Sequence, residues 1–292
     1  MIYIIVGPTA SGKSSMALEL SRYFNNAPII NADAFQIYKE MNIGTAKVDV
    51  NSEEYKLHHL LDIKYPDEEF SVMEYQKLFR LKIDELSKQY KNIIVCGGTG
   101  LYIKASIYDY VFTEQVNDDT SDLEKLTNDE LYEMLIHLDE EATSTIHKNN
   151  RKRVIRAISI ARTSSLNKSE SISNQKHELI YPKDEIKIFM IDKEREELYQ
   201  RVNDRVDEMV NNGLLDEVKY LRDKYQLSIT ASQAIGYKEI IQFLNNELSL
   251  DAAIELIKKR TRNYVKRQLT FFRHQFECIN IKTIEDILKE VG

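Results

Sequence analysis

Short apolar runs alternate with helical patterns along the first part of the chain. The run from Ile2 to Val6 is continuously apolar and β-prone and breaks at Gly7, and the segment from Lys13 to Phe24 then has apolar residues at helical spacing. This order predicts a strand, a glycine loop and a helix. Further apolar runs predict strands at 28–31, 93–96 and 186–191. Short buried strands that alternate with helices indicate a parallel sheet flanked by helices.

A long segment between the third and fourth predicted strands contains no strong strand pattern. Its helical patterns lie near residues 123–136 and 151–161, and a stretch rich in Ser and Asn at Ser164 to Gln175 predicts a loop. We therefore predict a helical insertion at 113–183 within a core formed by 1–112 and 184–292. Helical patterns in the last part of the core lie at 195–210, 214–224 and 250–276.

The composition is that of a globular protein: of 292 residues, 42% are hydrophobic and 30% are charged. No apolar run is long enough to cross a bilayer, and the amino terminus lacks the pattern of a secretory signal. We therefore expect a cytoplasmic protein without a membrane partner, and we expect a monomer. Cys96 and Cys278 lack the spacing of a zinc site and are interpreted as buried apolar residues.

The glycine loop matches the GxxxxGK[ST] pattern of a P-loop at every fixed position. Backbone N–H groups of such a loop surround phosphate oxygens, the helix amino terminus favours negative charge, and Lys13 adds a mobile positive charge. The hydroxyl of Ser14 is a candidate ligand for Mg²⁺. The residues predicted to bind a diphosphate or a nucleotide are Gly7, Pro8, Thr9, Ala10, Ser11, Gly12, Lys13 and Ser14.

Two further polar residues follow predicted strands. Because ligands bind at the carboxyl ends of parallel strands, Asp33 and Thr99 are expected to meet the P-loop in one crevice. Asp33 alone could also be a helix N-cap or a Mg²⁺ ligand, and Thr99 a simple turn residue. A P-loop by itself favours a nucleotide or small-molecule kinase, and a non-catalytic RNA-binding NTPase is a further alternative.

The segment from Lys258 to Gln275 has seven Lys or Arg and no Asp or Glu, in a chain of net charge −7. Its cations alternate with Tyr264, Phe271 and Phe272. A helix with this pattern can follow phosphates while its aromatic rings pack or stack on bases, which favours RNA binding over a simply solvated helix. A second basic cluster, Arg151 to Arg156, begins a predicted helix in the insertion.

Several motifs resemble those of the bacterial tRNA dimethylallyltransferases, over nearly the whole chain. In the first part these are NADAFQIY at 31–38, NIGTAK at 42–47, HHLLD at 58–62 and GGTGLY at 97–102. In the last part they are RVDEM at 205–209, AIGYK at 234–238, TRNY at 261–264 and KRQLT at 266–270. The sequence departs from the family pattern at Ala34 and Phe271, where Ser and Trp are common.

The resemblance implies that dimethylallyl diphosphate occupies the P-loop and that its five-carbon group moves to N6 of the adenosine next to the anticodon of tRNA. An exocyclic adenine amine is a weak nucleophile, so a base should take its proton, and an ionised carboxylate suits that task. Asp33 is the candidate base, and Lys13 is expected to stabilise the leaving group. The resemblance implies that Thr99 orients the reacting groups and that Arg205 reaches them, although Arg205 in this charged helix could equally be a solvated salt-bridge partner.

The same resemblance implies a set of residues that contact the anticodon stem-loop. They are Asp33, Ala34, Phe35, Gln36, Lys152, Arg153, Val154, Ile155, Arg156, Gln233, Ala234, Ile235, Gly236, Tyr237, Lys238, Lys266, Arg267, Gln268, Leu269, Thr270, Phe271, Phe272 and Arg273.

The adjacent His58 and His59 point in different directions and lack a third metal ligand at useful spacing, so we interpret them as structural.

Overall fold

The computed structural model describes residues 1–112, 119–163 and 177–291. The chain forms two compact units. One consists of Met1–Ser106 with Tyr181–Gly292, and the other is Ile107–Ile180. The insertion predicted from the sequence was 113–183, whereas the second unit is Ile107–Ile180. The predicted loop at 164–175 falls outside the described residues.

The first unit is built on a parallel sheet of six strands in the order β3-β2-β4-β1-β5-β6. The strands are β1 Ile2–Val6, β2 Ile29–Asn31, β3 His58–His59, β4 Ile93–Gly97, β5 Ile186–Ile191 and β6 Ile279–Ile281. The predicted parallel α/β fold is thus confirmed. The two short edge strands, β3 and β6, were not predicted, because neither contains an apolar run long enough to be distinguished from a loop.

The helices of the first unit surround this sheet. They are α1 Lys13–Tyr23, α2 Val72–Leu86, α3 Gly100–Ile107, which ends at the boundary of the second unit, α6 Arg195–Asn211, α7 Leu214–Lys224, α8 Ile229–Ser232, α9 Tyr237–Leu244, α10 Leu250–Gln275 and α11 Ile284–Val291. All five residues of β1 are buried, because helices cover the sheet on both faces. No described helix has both the length and the hydropathy needed to cross a membrane.

The sheet register brings the ends of the central strands together. Val6, the last residue of β1, pairs with Gly97 of β4 and with Met190 of β5. The loops that follow β1 and β4 therefore leave the sheet side by side. Gly97 is required here, since a Cβ on it would lie 2.2 Å from the backbone of Ala32 after β2.

The second unit has its own apolar core. Its helices are α4 Asn128–Leu138 and α5 Arg151–Thr163, which bury Leu131, Leu135 and Val154 against each other. A capping box between Thr127 and Glu130 begins α4. The guanidinium of Arg151 donates to the backbone carbonyls of three residues of the preceding segment: Leu123, Glu124 and Leu126.

The two histidines of the edge strand β3 are expected to make stability depend on pH. Burial lowers the pKa of both His58 and His59, so the folded state favours their neutral forms. The unfolded chain binds protons near the ordinary pKa of about 6.5, so the free energy of unfolding should fall as the pH drops below about 6.5. We predict that His58→Gln with His59→Gln flattens this fall, as measured by urea denaturation at several pH values. The exposed His137→Gln is the control, and an undiminished slope in the double variant would contradict the prediction.

Candidate active site

The P-loop joins β1 to α1 as its sequence pattern predicts. Gly12 has φ +95°, a left-handed conformation that suits glycine, and a Cβ on Gly7 would lie 2.8 Å from the Ser11 hydroxyl. Among the residues that the structure describes, no side chain caps the start of α1. Because the first N–H groups of a helix have no partner within the helix, this end can bind an anion.

A cleft of about 400 Å³ lies against the P-loop and α6. It is lined by Ala10, Gly12, Lys13, Ser14, Ser15, Ala46, Arg201, Asp204, Arg205 and Glu208. Arg201, which was not among the predicted site residues, donates from Nε to the carbonyl of Ala10 at 2.8 Å. Burial lowers the pKa of Lys13, while the Cys96 thiol and the Asp33 carboxylate act in the opposite direction. Within the described residues, the cleft combines N–H groups that no side chain caps with three basic side chains, which is the chemistry of a phosphate site.

Asp33 lies just after β2, with one carboxylate oxygen fixed. Its Oδ1 accepts from the N–H of Phe35 at 3.0 Å, and its own N–H donates to Oδ1 of Asn31 at 3.1 Å. Among the described residues, none donates a hydrogen bond to Oδ2 of Asp33. The carboxylate is therefore held in one orientation with an oxygen left to accept a proton.

Thr99 connects the segment after β4 to the segment that carries Asp33. Its hydroxyl oxygen accepts from the N–H of Ala34 at 3.0 Å, and its N–H donates to the carbonyl of Ala32 at 3.1 Å. The hydroxyl is thus held beside the segment that carries Asp33 by backbone contacts. Thr99 is more than a turn residue in this structure, since it fixes the neighbouring loop.

A second, smaller cavity of about 80 Å³ opens beside Asp33. It has room for several water-sized groups, since each needs roughly 10–15 Å³. Its lining is mostly apolar: Phe35, Val202, Val206, Met209, Ile235, Tyr237, Ile257 and Tyr264 with Thr9, Gly44, Thr45, Ala234 and Thr261. Asp33 and Arg205 are the charged residues of this lining.

Arg205 lines both the phosphate cleft and the apolar cavity. Its guanidinium donates to the carbonyl of Thr45 at 3.3 Å, and Gln36 donates to the same oxygen at 3.1 Å. Burial lowers the pKa of Arg205, and the carboxylates of Asp33 and Glu208 oppose that effect. Arg205 therefore stands between the two spaces as a partly buried cation.

Two charged residues that were not among the predicted site residues hold the loop after Gln36. Glu217 accepts from the N–H groups of Asn42, Ile43 and Gly44 at 2.9, 2.8 and 3.1 Å, and from the hydroxyl of Tyr237 at 2.6 Å. Lys47, whose side chain is 0% exposed, donates to Asp62 at 2.5 Å and to the carbonyl of Tyr38 at 2.6 Å. These anchors fix Gly44 and Thr45 at the wall of the apolar cavity.

The long helix α10 also reaches the site. Gln268 accepts from the N–H of Thr9 and donates to the carbonyl of Gly98. One turn earlier, Tyr264 lines the apolar cavity near Thr99, and burial raises its pKa, reinforced by the Asp33 carboxylate. The N–H of Thr9 is thus used within the chain, although Thr9 was predicted to bind the diphosphate.

The basic character of α10 needs a correction. Lys258 pairs with Asp207 at 2.7 Å, Arg273 pairs with Asp192 at 3.2 Å, and Arg260 pairs with Glu239. The sequence of α10 alone therefore overestimated its free positive charge, because acidic residues on other elements pair with three of its cations. In the described part of the chain, the cations of α10 that have no ion-pair partner are Lys259, Arg262, Lys266 and Arg267.

The residues predicted to contact tRNA divide by exposure. The exposed ones are Lys152, Arg153, Arg156, Gln233, Lys266, Arg267, Thr270 and Arg273. The buried ones are Val154, Ile155, Ala234, Gly236, Tyr237, Gln268 and Phe272, and the remainder, Asp33, Ala34, Phe35, Gln36, Ile235, Lys238, Leu269 and Phe271, are partly buried. Phe271 packs over Gly100, where a Cβ would meet its ring at 2.3 Å. The buried side chains support the backbone of these segments and present no surface of their own.

The fold and the two adjoining cavities define a P-loop α/β protein with a basic cleft beside an apolar cavity. The chain belongs to the IPP transferase family, whose model matches residues 36–275. A tRNA dimethylallyltransferase of Bacillus licheniformis is 44% identical over 282 residues, which is 94% of this chain and 88% of the relative. The corresponding protein of Bacillus subtilis is 43% identical over 282 residues, with the same two coverages.

Solved structures of the same family have the same fold. The crystal structure of a tRNA isopentenylpyrophosphate transferase from Staphylococcus epidermidis matches with a TM-score of 0.70 at 36% identity, covering 99% of this chain and 96% of the other. A eukaryotic dimethylallyltransferase acting on tRNA matches with a TM-score of 0.79 at 27% identity, covering 97% and 74% of the two chains.

The role of Glu217 can be tested by stability. In Glu217→Gln the amide nitrogen would face backbone N–H donors, so we predict a loss of about 2 kcal/mol in the free energy of unfolding, the magnitude of hydrogen bonds to a charged group. Denaturant titration measures the loss. Glu247→Gln, at an exposed carboxylate, is the control and should change stability by less than about 0.5 kcal/mol. Equal effects of the two substitutions would count against an anchoring role for Glu217.

Proposed function

We propose that this protein is a tRNA dimethylallyltransferase, which transfers the dimethylallyl group of dimethylallyl diphosphate to N6 of the adenosine next to the anticodon and releases diphosphate. The observation that carries the proposal is the position of Arg205, which lines both the phosphate cleft and the apolar cavity that contains Asp33. A substrate with a diphosphate joined to a five-carbon apolar group fits these two spaces together. Membership of the IPP transferase family supports the same reaction.

The phosphate cleft serves the leaving group. As the bond between carbon and the diphosphate oxygen breaks, negative charge grows on the diphosphate. Lys13, Arg201 and the free N–H groups at the start of α1 are positioned to stabilise that charge before it forms, so little reorganisation is needed during the reaction.

Asp33 serves the nucleophile. Its Oδ2 takes a proton from N6 of the adenosine as the new bond between nitrogen and carbon forms, and the Phe35 N–H holds Oδ1 in place meanwhile. The apolar lining of the cavity excludes water, which would otherwise attack the activated five-carbon group. Thr99 keeps the segment that carries Asp33 in register through Ala34.

The residues at the P-loop fit Mg²⁺ in part. The Ser14 hydroxyl and the Asp204 and Glu208 carboxylates share the cleft, and Mg²⁺ prefers oxygen ligands, usually completed by waters and substrate phosphates. In the described part of the chain no cluster of three His, Cys, Asp or Glu forms a complete metal site. We propose that Ser14 holds the ion together with the substrate, where it would neutralise diphosphate charge.

Two basic surfaces are proposed to bind the anticodon stem-loop. One consists of Lys266 and Arg267 on α10, and the other of Lys152, Arg153 and Arg156 on α5. Phosphate contacts of this kind supply affinity that decreases with salt. Since all groups invoked come from one chain and tRNA is the acceptor, we further propose that the enzyme acts as a cytoplasmic monomer.

The reaction is tested with an unmodified tRNA and labelled dimethylallyl diphosphate. We predict that the wild type places the label on the adenosine next to the anticodon, and that Asp33→Asn lowers the transfer rate roughly 10²- to 10⁴-fold, the contribution of a general base. The rise in melting temperature caused by dimethylallyl diphosphate should persist in Asp33→Asn, because the phosphate cleft is unchanged.

Asp67→Asn, at an exposed carboxylate, is the control for that substitution. Near-normal transfer by Asp33→Asn would remove Asp33 as the base. A wild type that is stabilised by ATP with Mg²⁺ but not by dimethylallyl diphosphate, and that leaves the RNA unlabelled, would contradict the proposed function itself.

The proposed RNA surface on α10 is tested by salt dependence. We predict that Lys266→Ala with Arg267→Ala weakens binding of the anticodon stem-loop and reduces the slope of log affinity against log salt by about 1.4, since each phosphate contact contributes about 0.7 on single strands. Fluorescence anisotropy over a range of salt concentrations measures both. Lys88→Ala with Lys91→Ala, two exposed lysines after α2, is the matched control. An unchanged slope would exclude this surface.

A further inference from the structure

Gln268 is almost completely buried, although it lies in the most basic helix of the chain. Its side chain points inward from α10 and is 5% exposed. Its Oε1 accepts from the N–H of Thr9 in the P-loop at 3.0 Å, and its Nε2 donates to the carbonyl of Gly98 after β4 at 2.8 Å. One amide thus connects the loop at the phosphate cleft to the loop that carries Thr99.

The amide has a single orientation that satisfies both contacts. A flipped amide would point its oxygen at the Gly98 carbonyl and its NH₂ at the Thr9 N–H, which would lose both hydrogen bonds. The fit is also tight, because a Cβ on Gly98 would lie 2.4 Å from Nε2. Because the buried Gln268 amide is closely packed and both of its hydrogen bonds are specific, it allows one arrangement of the two loops.

We propose that Gln268 is a positioning residue for the diphosphate loop. By holding the N–H of Thr9, it turns the next part of the loop so that the free N–H groups at the start of α1 face the cleft. By holding Gly98, it fixes the distance between that cleft and Thr99. The name of the ligand rests on the proposed function, but the positioning of an anion-binding loop does not.

Two other roles predict different results. If Gln268 only stabilised the fold, its loss would lower the melting temperature and leave the affinity of the folded protein for anions unchanged. If it contacted tRNA, as the motif that contains it suggested, its loss would weaken RNA binding and leave anion binding unchanged. A positioning role predicts that loss of Gln268 weakens anion binding by the folded protein and leaves RNA binding nearly unchanged.

The experiment uses Gln268→Met, which keeps the side-chain length and removes both hydrogen bonds. Binding of inorganic diphosphate with Mg²⁺, measured by calorimetry at a temperature where the variant is folded, should weaken about tenfold. The affinity for the anticodon stem-loop should change less than twofold. A loss of diphosphate affinity below threefold, or a larger effect on RNA than on diphosphate, overturns the proposal.

Gln76→Met is the matched control. Gln76 also donates from its amide to a backbone carbonyl, that of Ala105 at 2.7 Å, but it lies on α2 and outside both cavities. We expect this substitution to cost stability without changing diphosphate affinity. An equal loss of diphosphate affinity in Gln76→Met would mean that general loosening explains the result.

Gln268→Glu provides a second test, which is independent of how well the Met variant folds. Its carboxylate keeps the acceptor for Thr9 but faces the Gly98 carbonyl, and burial beside that oxygen should raise its pKa. The protonated form regains a donor to Gly98, so diphosphate affinity relative to wild type should recover as the pH is lowered from about 8 to about 6. The absence of recovery in this range overturns the proposal.

Because inorganic diphosphate is the probe, this outcome is separate from that of the transfer assay. A protein that transfers no label but loses diphosphate affinity in Gln268→Met would retain the positioning role and lose the proposed function. A protein that transfers the label but whose diphosphate affinity is unchanged in Gln268→Met would retain the proposed function and lose the positioning role.

Discussion

The structure depends on one electrostatic feature, which is that the start of α1 leaves backbone N–H groups without a capping side chain among residues 1–112, 119–163 and 177–291. A bound anion would satisfy them, and several surrounding elements meet at this point. The paired ends of β1 and β4 bring two loops together, α6 supplies Arg201 and Arg205, and α10 supplies Gln268. Because the proposed anion site shares Arg205 with an apolar cavity, a ligand whose charged and apolar parts are joined would fit both.

The parts of the site that could be predicted from sequence are those with local causes. The P-loop depends on glycine conformations and on a strand and helix that adjoin it in sequence, and Asp33 and Thr99 follow strands whose parallel order places their ends at one edge. Residues whose role depends on distant partners could not be predicted. Glu217 looks like any acid on a charged helix until the loop at Asn42 packs against it.

The basic helix shows the same limit in terms of charge. Counting charges along α10 treats the segment as isolated, whereas in the fold Asp207, Glu239 and Asp192 neutralise cations that the count had left free. The helix therefore has two faces with different tasks. Its inward face carries Tyr264 to the apolar cavity and Gln268 to the loops after β1 and β4. In the part of the chain that the structure describes, its cations without an ion-pair partner are fewer and more localised than the sequence indicates.

The two ends of the second unit lie next to each other, which affects how its length can vary. The N–H of Ile180 donates to the carbonyl of Ile107 at 2.9 Å, and Tyr108 and Leu179 form an antiparallel bridge, so the two ends of the inserted unit are adjacent. The insertion therefore leaves and re-enters the rest of the chain at nearly the same point, as a short loop would. The entropic cost of bringing its two ends together grows only slowly with the number of inserted residues. The insertion can gain or lose residues over evolution without shifting the strands that carry the P-loop.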